Sequence, residues 1–213
     1  MIDYVKAASK AYETLIKYNV CKAPVSPFPI LDKLDNVEVV SFEELEKTSG
    51  VDPRSIGRGK CSDAFSMIQE AHGQQTYMVA YNNRLPFAIL QRALSCELGH
   101  VILGHTERSE SNEAEARFFA MHLICPRPLI HLMQVISMRL TEDLVANLTG
   151  VFHQEFVRIR HEPGVLIPAR LNKFVGNQFL PFVLNFYEYY RDVAPKDGSA
   201  LADFGHYMDF YEE

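Results

Sequence analysis

One stretch of the chain, ALSCELGHVILGH at residues 93–105, constrains the fold more than any other part of the sequence. It follows Pro86, which suits the first turn of a helix, and a helix from there to about Gly104 places Cys96 and His100 on one face, one turn apart. Glu97 lies between them. The opposite face carries the residues expected to pack in the core: Leu90, Leu94, Leu98 and Val101. The spacing predicts a helix that separates chemically active side chains from a packing stripe.

Cys96 and His100 have the spacing at which two side chains of one helix bind the same metal ion. With histidine in place of Cys96 the stretch would read H-E-x-x-H, the signature of zinc proteases, in which the glutamate activates a metal-bound water. Ala93 and Gly104 are small residues that would leave room for an ion and for a second helix. The motif E-x-x-H alone is weak evidence for a metal site, so the interpretation depends on whether the next element supplies a further ligand.

A second helix, EAEARFFAMHLIC at residues 113–125, is predicted after the polar turn TERSESN. Ser111 or Asn112 suits its N-cap, and Pro126 ends it. Catalytic zinc sites commonly take a third ligand from such a neighbouring element. Glu113, at the start of this helix, is a candidate for that ligand.

The two helices together resemble the ImmA/IrrE family of bacterial metallopeptidases, whose pattern is roughly H-E-L-G-H-x-x-L-x-H followed by E-x-E-A-N-x-F-A-x-x-L-L-M-P. The matching residues are Glu97, Leu98, Gly99, His100, Leu103, His105, Glu113, Glu115, Ala116, Phe119, Ala120, Leu123 and Pro126. The resemblance covers roughly residues 1–165 and does not extend over the last fifty or so. Two positions depart from the pattern: Cys96 replaces the first histidine, and Arg117 replaces the asparagine.

The resemblance implies a zincin-like core in which His100 and Glu113 are zinc ligands, Cys96 takes the first ligand position and Glu97 is the general base. Glu113 is preferred as third ligand because the family's ligand lies four residues before its asparagine. Glu115, on the same helix, is the fallback.

The cysteine changes the expected chemistry of the site. Thiolate binds zinc well, but Cys96, His100 and Glu113 together would place two formal negative charges around Zn²⁺, where two histidines and a glutamate would place one. The metal would then be a weaker Lewis acid, so we expect a site that binds zinc and hydrolyses slowly. The alternative is that Cys96 is a buried thiol in a protein that has lost its metal.

The remaining elements predict an α+β fold with a small antiparallel sheet beside the metal helices. DYVKAASKAYETLIKYN predicts an amphipathic helix, CKAPVSPFPI extended chain, VEVVSF a short strand, and AFSMIQEAHGQQTYMVAYNN a hairpin. SGVDPRSIGRGKCSD is loop-like. We predict a metallopeptidase-like domain at residues 1–135 and a helical C-terminal extension at 136–213, with short helices in 141–162 and an aromatic helix in 177–193.

Three further features have both a functional and a structural interpretation. His105 is too far round the helix to bind the same metal, so it caps the end of the helix, supports a ligand of the site, or is a surface histidine. His122 is expected to be an ordinary residue of its helix face. The strand TYMVAYNN either binds substrate backbone along a sheet edge or packs Tyr77 and Met78 in the core.

Bulk properties exclude several classes of protein. The net charge of −6 argues against the basic surface of a nucleic-acid binder. The segment 139–160 looks like a helix-turn-helix, but its arginines are balanced by acidic residues, so we interpret it as structural. No apolar run reaches the ~20 residues of a membrane span, and the first residues lack the apolar core of a signal peptide. We therefore expect a cytoplasmic protein whose four cysteines are thiols.

The sequence thus predicts a zinc-dependent endopeptidase whose substrate is a protein, by family implication a helix-turn-helix transcriptional repressor of a mobile element or stress response. The alternative is a pseudoprotease that uses the same fold to bind a repressor without cutting it. A DNA-binding regulator is a third, more distant reading.

Overall fold

The computed structural model describes residues 2–56, 63–71, 74–136, 144–145, 149 and 166–192. Its helices are α1 (Tyr4–Lys17), α2 (Phe28–Leu31), α3 (Phe42–Ser49), α4 (Pro53–Ile56), α5 (Phe87–Leu103), α6 (Glu110–Ile124), α7 (Arg127–Val135) and α8 (Ala169–Asp192). Its strands are β1 (Val37–Ser41), β2 (Ala64–Ala71) and β3 (Gln74–Tyr81). The fold is α+β, as the sequence predicts.

The sheet has the strand order β1-β3-β2 and is mixed. Strands β2 and β3 form the predicted antiparallel hairpin, but β1 runs parallel to β3, so the prediction of an antiparallel sheet is wrong for this strand. A parallel pair needs a long connection, and here α3, α4 and β2 lie between the two strands in sequence. Strand β3 is the central strand of the described sheet.

Each face of β3 packs against a different group of side chains, as the twofold alternation of a strand requires. Tyr77 and Val79 join the main core with the helices, whereas Met78 and Ala80 join a smaller core that contains Phe42 of α3. The sheet therefore lies between α3 on one side and the α1, α5 and α6 core on the other.

The helices α5 and α6 pack closely at Gly99. A Cβ atom there would lie 3.0 Å from the backbone oxygen of Ala116 and 3.1 Å from Cδ1 of Phe119. The second helix thus approaches at Gly99, whereas a Cβ at Gly104 would have nothing within 4 Å. Gly104 has a φ of 72°, a left-handed conformation that ends α5 where the sequence predicts.

The predicted start of α6 needs a correction. Its N-cap is Ser109, whose side chain accepts a hydrogen bond from the backbone N–H of Asn112, so the helix begins before Ser111 and Asn112. As a result Glu113 lies at the end of the first turn of α6, which brings its carboxylate to the side of α5.

Two short helices lie where the sequence predicts extended chain or loop. Helix α2 begins within CKAPVSPFPI and ends at Leu31, one residue beyond it, and α4 lies inside the segment expected to be a loop. Helix α3 also follows β1 directly and begins with a capping box, in which Ser41 and Glu44 bond each other's backbone N–H groups.

The C-terminal helix α8 packs on α7 and α1. Its buried residues Val175, Phe179 and Phe186 belong to the same apolar cluster as Ala8 and Leu15 of α1. It begins earlier than the aromatic helix predicted for 177–193. The short helices predicted in 141–162 lie outside the described residues, apart from residues 144–145 and 149. In the described ranges, no helix combines the length and the apolar character needed to cross a lipid bilayer.

Candidate functional site

The pairing of α5 with α6 brings three of the predicted site residues together. Glu97 and His100 on α5 are buried, at 5% and 2% exposure. Nε2 of His100 lies 3.4 Å from Oε1 of Glu113 on α6. Glu115 faces away from this point and bonds other groups, so Glu113 is the carboxylate of α6 that faces Nε2 of His100.

Arg108, in the turn between α5 and α6, lies at the centre of the site. Its Nη1 atom is 3.0 Å from Nε2 of His100 and 2.9 Å from Oε1 of Glu113. Its Nη2 atom is 2.5 Å from Oε2 of Glu97 and 3.2 Å from Oγ of Ser66 on β2. The guanidinium therefore occupies the point on which Glu97, His100 and Glu113 converge.

These contacts fix where the protons lie. A guanidinium can only donate, so Nε2 of His100 accepts from Arg108 and the ring carries its proton on Nδ1. The two hydrogens of Nη1 go to His100 and Glu113, and those of Nη2 go to Glu97 and Ser66. Ser66 in turn donates to Oε2 of Glu97 over 2.7 Å. All four terminal N–H bonds of Arg108 have a partner.

A second set of hydrogen bonds holds the other ring nitrogen of His100, Nδ1. Nδ1 of His105 lies 3.0 Å from Nδ1 of His100 and, since His100 carries its proton there, His105 accepts. Nε2 of His105 then donates to Oε2 of Glu115 over 3.2 Å. Glu115 also accepts the backbone N–H of Asp3 at 2.8 Å. His105 thus orients His100, as the sequence allowed, and the network reaches the start of α1.

The ionisation of the site follows from these contacts. With no proton on Nε2, His100 does not donate to Glu113, and the hydrogen bond and charge of Arg108 hold the pKa of the Glu113 carboxyl below its ordinary value. Burial works against the charge of Arg108, but the carboxylates of Glu97 and Glu113 raise its pKa above the ordinary value. The site is therefore an ion network of two carboxylates and one guanidinium.

Cys96 is partly buried and is not one of the contacts of Arg108 among the described residues. Burial, and after it the charge of Glu97, raises the pKa of the Cys96 thiol to about 12, so the side chain is protonated at neutral pH.

The described residues do not fit a zinc ion in this arrangement. No three His, Cys, Asp or Glu side chains among them are grouped so that they could hold a metal. The guanidinium of Arg108 lies between the side chains of His100 and Glu113 and the place where they would share an ion. Zinc binding by Cys96, His100 and Glu113 stays a prediction from the sequence.

Arg117, the second departure from the family pattern, does not enter the site. It is exposed, and its Nε donates to the backbone oxygen of Glu113 over 3.1 Å. Its guanidinium therefore lies along the surface of α6.

His122 is a buried residue with unusual surroundings. It is 1% exposed, packs against Phe118 and Tyr12, and among the described residues neither of its ring nitrogens has a hydrogen-bond partner. Burial, and after it the charge of Arg127, lowers the pKa of His122 to about 3. The ring is therefore neutral at physiological pH and acts as a core residue.

The strand next to the site is β2, which carries Ser66. In the described part of the chain β2 pairs with β3 alone, whereas β3 has partners on both sides. The edge expected for TYMVAYNN is therefore not free, and Tyr77 and Met78 are packed in the two cores. Within the described residues, the strand edge without a pairing partner beside Glu97 belongs to β2.

Arg108 and Ser66 are the site residues that the sequence did not reveal. Arg108 lies in a polar turn with no motif around it, and Ser66 is 31 positions from its partner Glu97. Comparison of the chain with protein-family models, with curated proteins and with solved structures gave no match. The resemblance to the ImmA/IrrE family rests on the paired helix motifs alone.

Proposed function

We propose that this chain is a protein-binding regulatory module built on a metallopeptidase-like scaffold, a pseudoprotease whose partner is a helix-turn-helix repressor. The observation that supports this is the state of Glu97, the one candidate general base. Its Oε2 atom accepts hydrogen bonds from both Arg108 and Ser66. Because Oε2 already accepts from a guanidinium and a hydroxyl, that oxygen is not placed to take a proton from a water.

The edge of β2 supplies a surface for a protein partner. An extended segment adds to an open strand edge through main-chain hydrogen bonds, and side-chain pockets then select its sequence. Ser66 joins this strand to the site, so a bound segment would run past Glu97 and Arg108. The identity of the partner as a repressor comes from the family resemblance.

The experiment is to mix the purified chain with each purified helix-turn-helix repressor of the host, with Zn²⁺ added. We expect one repressor to form a complex by gel filtration and to keep its intact mass by mass spectrometry. Backbone amides of β2 should exchange hydrogen more slowly in that complex. Glu97→Gln should bind as the unmodified chain does, because the proposed binding uses the strand edge.

The second candidate is the zinc-dependent endopeptidase acting on the same kind of substrate. The observation in its favour is the approach of His100 and Glu113 to 3.4 Å, with His105 on the far side of the His100 ring, where a metal-binding histidine usually has a partner. If the unmodified chain cut the repressor into fragments and Glu97→Gln did not, this candidate would be established and the first contradicted. A large gain of cleavage in Cys96→His would show a scaffold otherwise ready for catalysis.

A further inference from the structure

Helix α8 carries apolar side chains on two opposite faces. One face is buried against α1 and α7. On the other face Phe174, Leu180 and Leu184 are 49%, 36% and 44% exposed. A helix that only covers a core has a polar outer face, and an exposed apolar face of this kind marks a contact with another molecule.

The outer face of α8 follows the heptad pattern of helices that pack on one another. Spacings of four and three residues alternate along it, which keeps one stripe of a helix in contact with a second helix. The positions of this stripe are all exposed, and they are Arg170, Phe174, Asn177, Pro181, Leu184 and Glu188. We call these six residues the outer stripe.

The order of residues in the outer stripe fits a second copy of α8 that runs antiparallel to the first. With a twofold axis at the level of Phe179, Arg170 would face Glu188 of the second copy. Phe174 would face Leu184 of the second copy, and the symmetry repeats each pair on the other side of the axis. This register pairs a cation with an anion at both ends and an apolar residue with an apolar residue between them. A parallel copy would set Arg170 against Arg170 and Glu188 against Glu188.

The outer stripe has the free charges and the space that this register needs. In the described part of the chain neither Arg170 nor Glu188 makes an ion pair, and the guanidinium carbon of Arg170 lies 5.5 Å from the ring centre of Phe174. A cavity of about 510 Å³ adjoins Phe174, at the level where the register places Leu184 of the second copy. The other described residues that line it are Ala169, Arg170, Lys173 and Asn177.

We propose that the outer stripe is the interface of a homodimer in which two α8 helices pack antiparallel about a twofold axis. The contacts of each α8 with its own α1 and α7 are unchanged in this dimer. The interface uses neither the edge of β2 nor the ion network of Arg108, so the inference does not rest on the proposed function.

The experiment is analytical ultracentrifugation of the full chain over a range of concentrations, in which the unmodified chain should dimerise reversibly. Arg170→Glu removes both ion pairs of the dimer, so it should weaken association by about 5- to 30-fold, and Glu188→Arg should do the same. An equal mixture of these two variants should associate about as tightly as the unmodified chain, because each copy then meets an opposite charge at both ends. Restored association would also show that both variants are folded.

The apolar part of the outer stripe is tested by Leu184→Ser, which should weaken association at least about tenfold. Val51→Ser is the matched control, since Val51 is also 44% exposed but lies between α3 and α4. It should leave association unchanged. Both residues are exposed, so neither change should unfold the chain.

Three results would overturn the proposal. The first is a chain that stays monomeric at every concentration at which it remains in solution. The second is a dimer that Arg170→Glu and Leu184→Ser do not weaken, since it would form through another surface. The third is a mixture of Arg170→Glu with Glu188→Arg that associates no better than either variant alone, which would contradict the antiparallel register. Each of these results would leave repressor binding at the β2 edge untouched.

Discussion

The Nδ1 atoms of His100 and His105 lie 3.0 Å apart across the end of α5, although the two residues are five positions apart in sequence. A regular helix would place them on different faces. The left-handed conformation of Gly104 turns the chain back and lets His105 reach the ring of His100. The same turn sends the chain towards Arg108 and α6.

We predict that His105→Ala destabilises the protein by about 1–3 kcal/mol, because it leaves the Nδ1–H of His100 and one oxygen of Glu115 without partners. The measurement is the free energy of unfolding in urea. His131→Ala is the control, since His131 is an exposed residue of α7 and its loss should cost within about 0.5 kcal/mol. Equal free energies of unfolding for His105→Ala and His131→Ala would contradict the bridging role of His105.

We predict a coupling energy of about 0.5–3 kcal/mol between Arg108 and Glu97 in a double-mutant cycle with Arg108→Gln and Glu97→Gln. Glu97 is buried, so its charge is poorly solvated without Arg108. The Arg108 side chain is 35% exposed, and solvent screening keeps the value well below that of a fully buried pair.

The control for this cycle is Lys47 and Glu43, an exposed pair one turn apart on α3. Its coupling should be much smaller than that of Arg108 and Glu97, because solvent screens two exposed charges. If the Arg108–Glu97 cycle gave no more than this exposed pair, Arg108 would not hold the site together.

We predict that Gly99→Ala destabilises the protein by about 1–3 kcal/mol, because the added methyl would meet the backbone of Ala116 at 3.0 Å and the two helices would have to separate. Gly176→Ala on α8 is the matched control. Its methyl would meet only Cβ of Pro128, at 3.7 Å, and alanine favours a helix by about 1 kcal/mol over glycine. The midpoint of thermal unfolding should therefore fall in Gly99→Ala and rise in Gly176→Ala.

We predict that His122 makes the protein less stable as the pH falls. Its pKa is lowered to about 3 in the folded state and is near ~6.5 when unfolded, so between these values the unfolded chain binds a proton that the folded chain does not. Stability is lost as pH falls through that window, by up to about 1.4 kcal/mol per pH unit.

His122→Phe removes this titration while keeping an aromatic ring against Phe118 and Tyr12. Unfolding free energies measured between about pH 5 and 7 should therefore depend less on pH in His122→Phe than in the unmodified chain. His131→Phe should keep the original slope. If the unfolding free energy depended on pH equally in His122→Phe and in the unmodified chain, His122 would bind its proton equally in the folded and unfolded states, and the prediction would be contradicted.

The helices of the site could be predicted because their signals are local. Pro86 and Gly104 mark the ends of α5, and Pro126 follows the end of α6. The hairpin could be predicted for the same reason. The capping box of α3 was also present in the sequence, as Ser41 followed three residues later by Glu44, and it is the signal that would have revealed that helix.

The remaining features depend on contacts between distant parts of the chain. Alternation along β1 indicates a strand and not its direction, so the parallel pairing with β3 could not be predicted. The placement of Arg108 depends on the path of a six-residue turn and on Ser66 from the sheet. Whether Cys96 belongs to the site likewise depends on which cation lies there, which no spacing encodes.

Helix α8 has a consequence for how this protein is dissected. The side-chain amide of Gln178 donates to the backbone oxygens of Leu15 and Val20, at 2.8 and 2.5 Å, and so completes the hydrogen bonding at the end of α1. A fragment cut at the limit of the recognisable motifs, near residue 165, would lose this support and expose the apolar side of α1 to solvent. Inactivity of such a fragment would then report a damaged first helix and say nothing about the chemistry of the site.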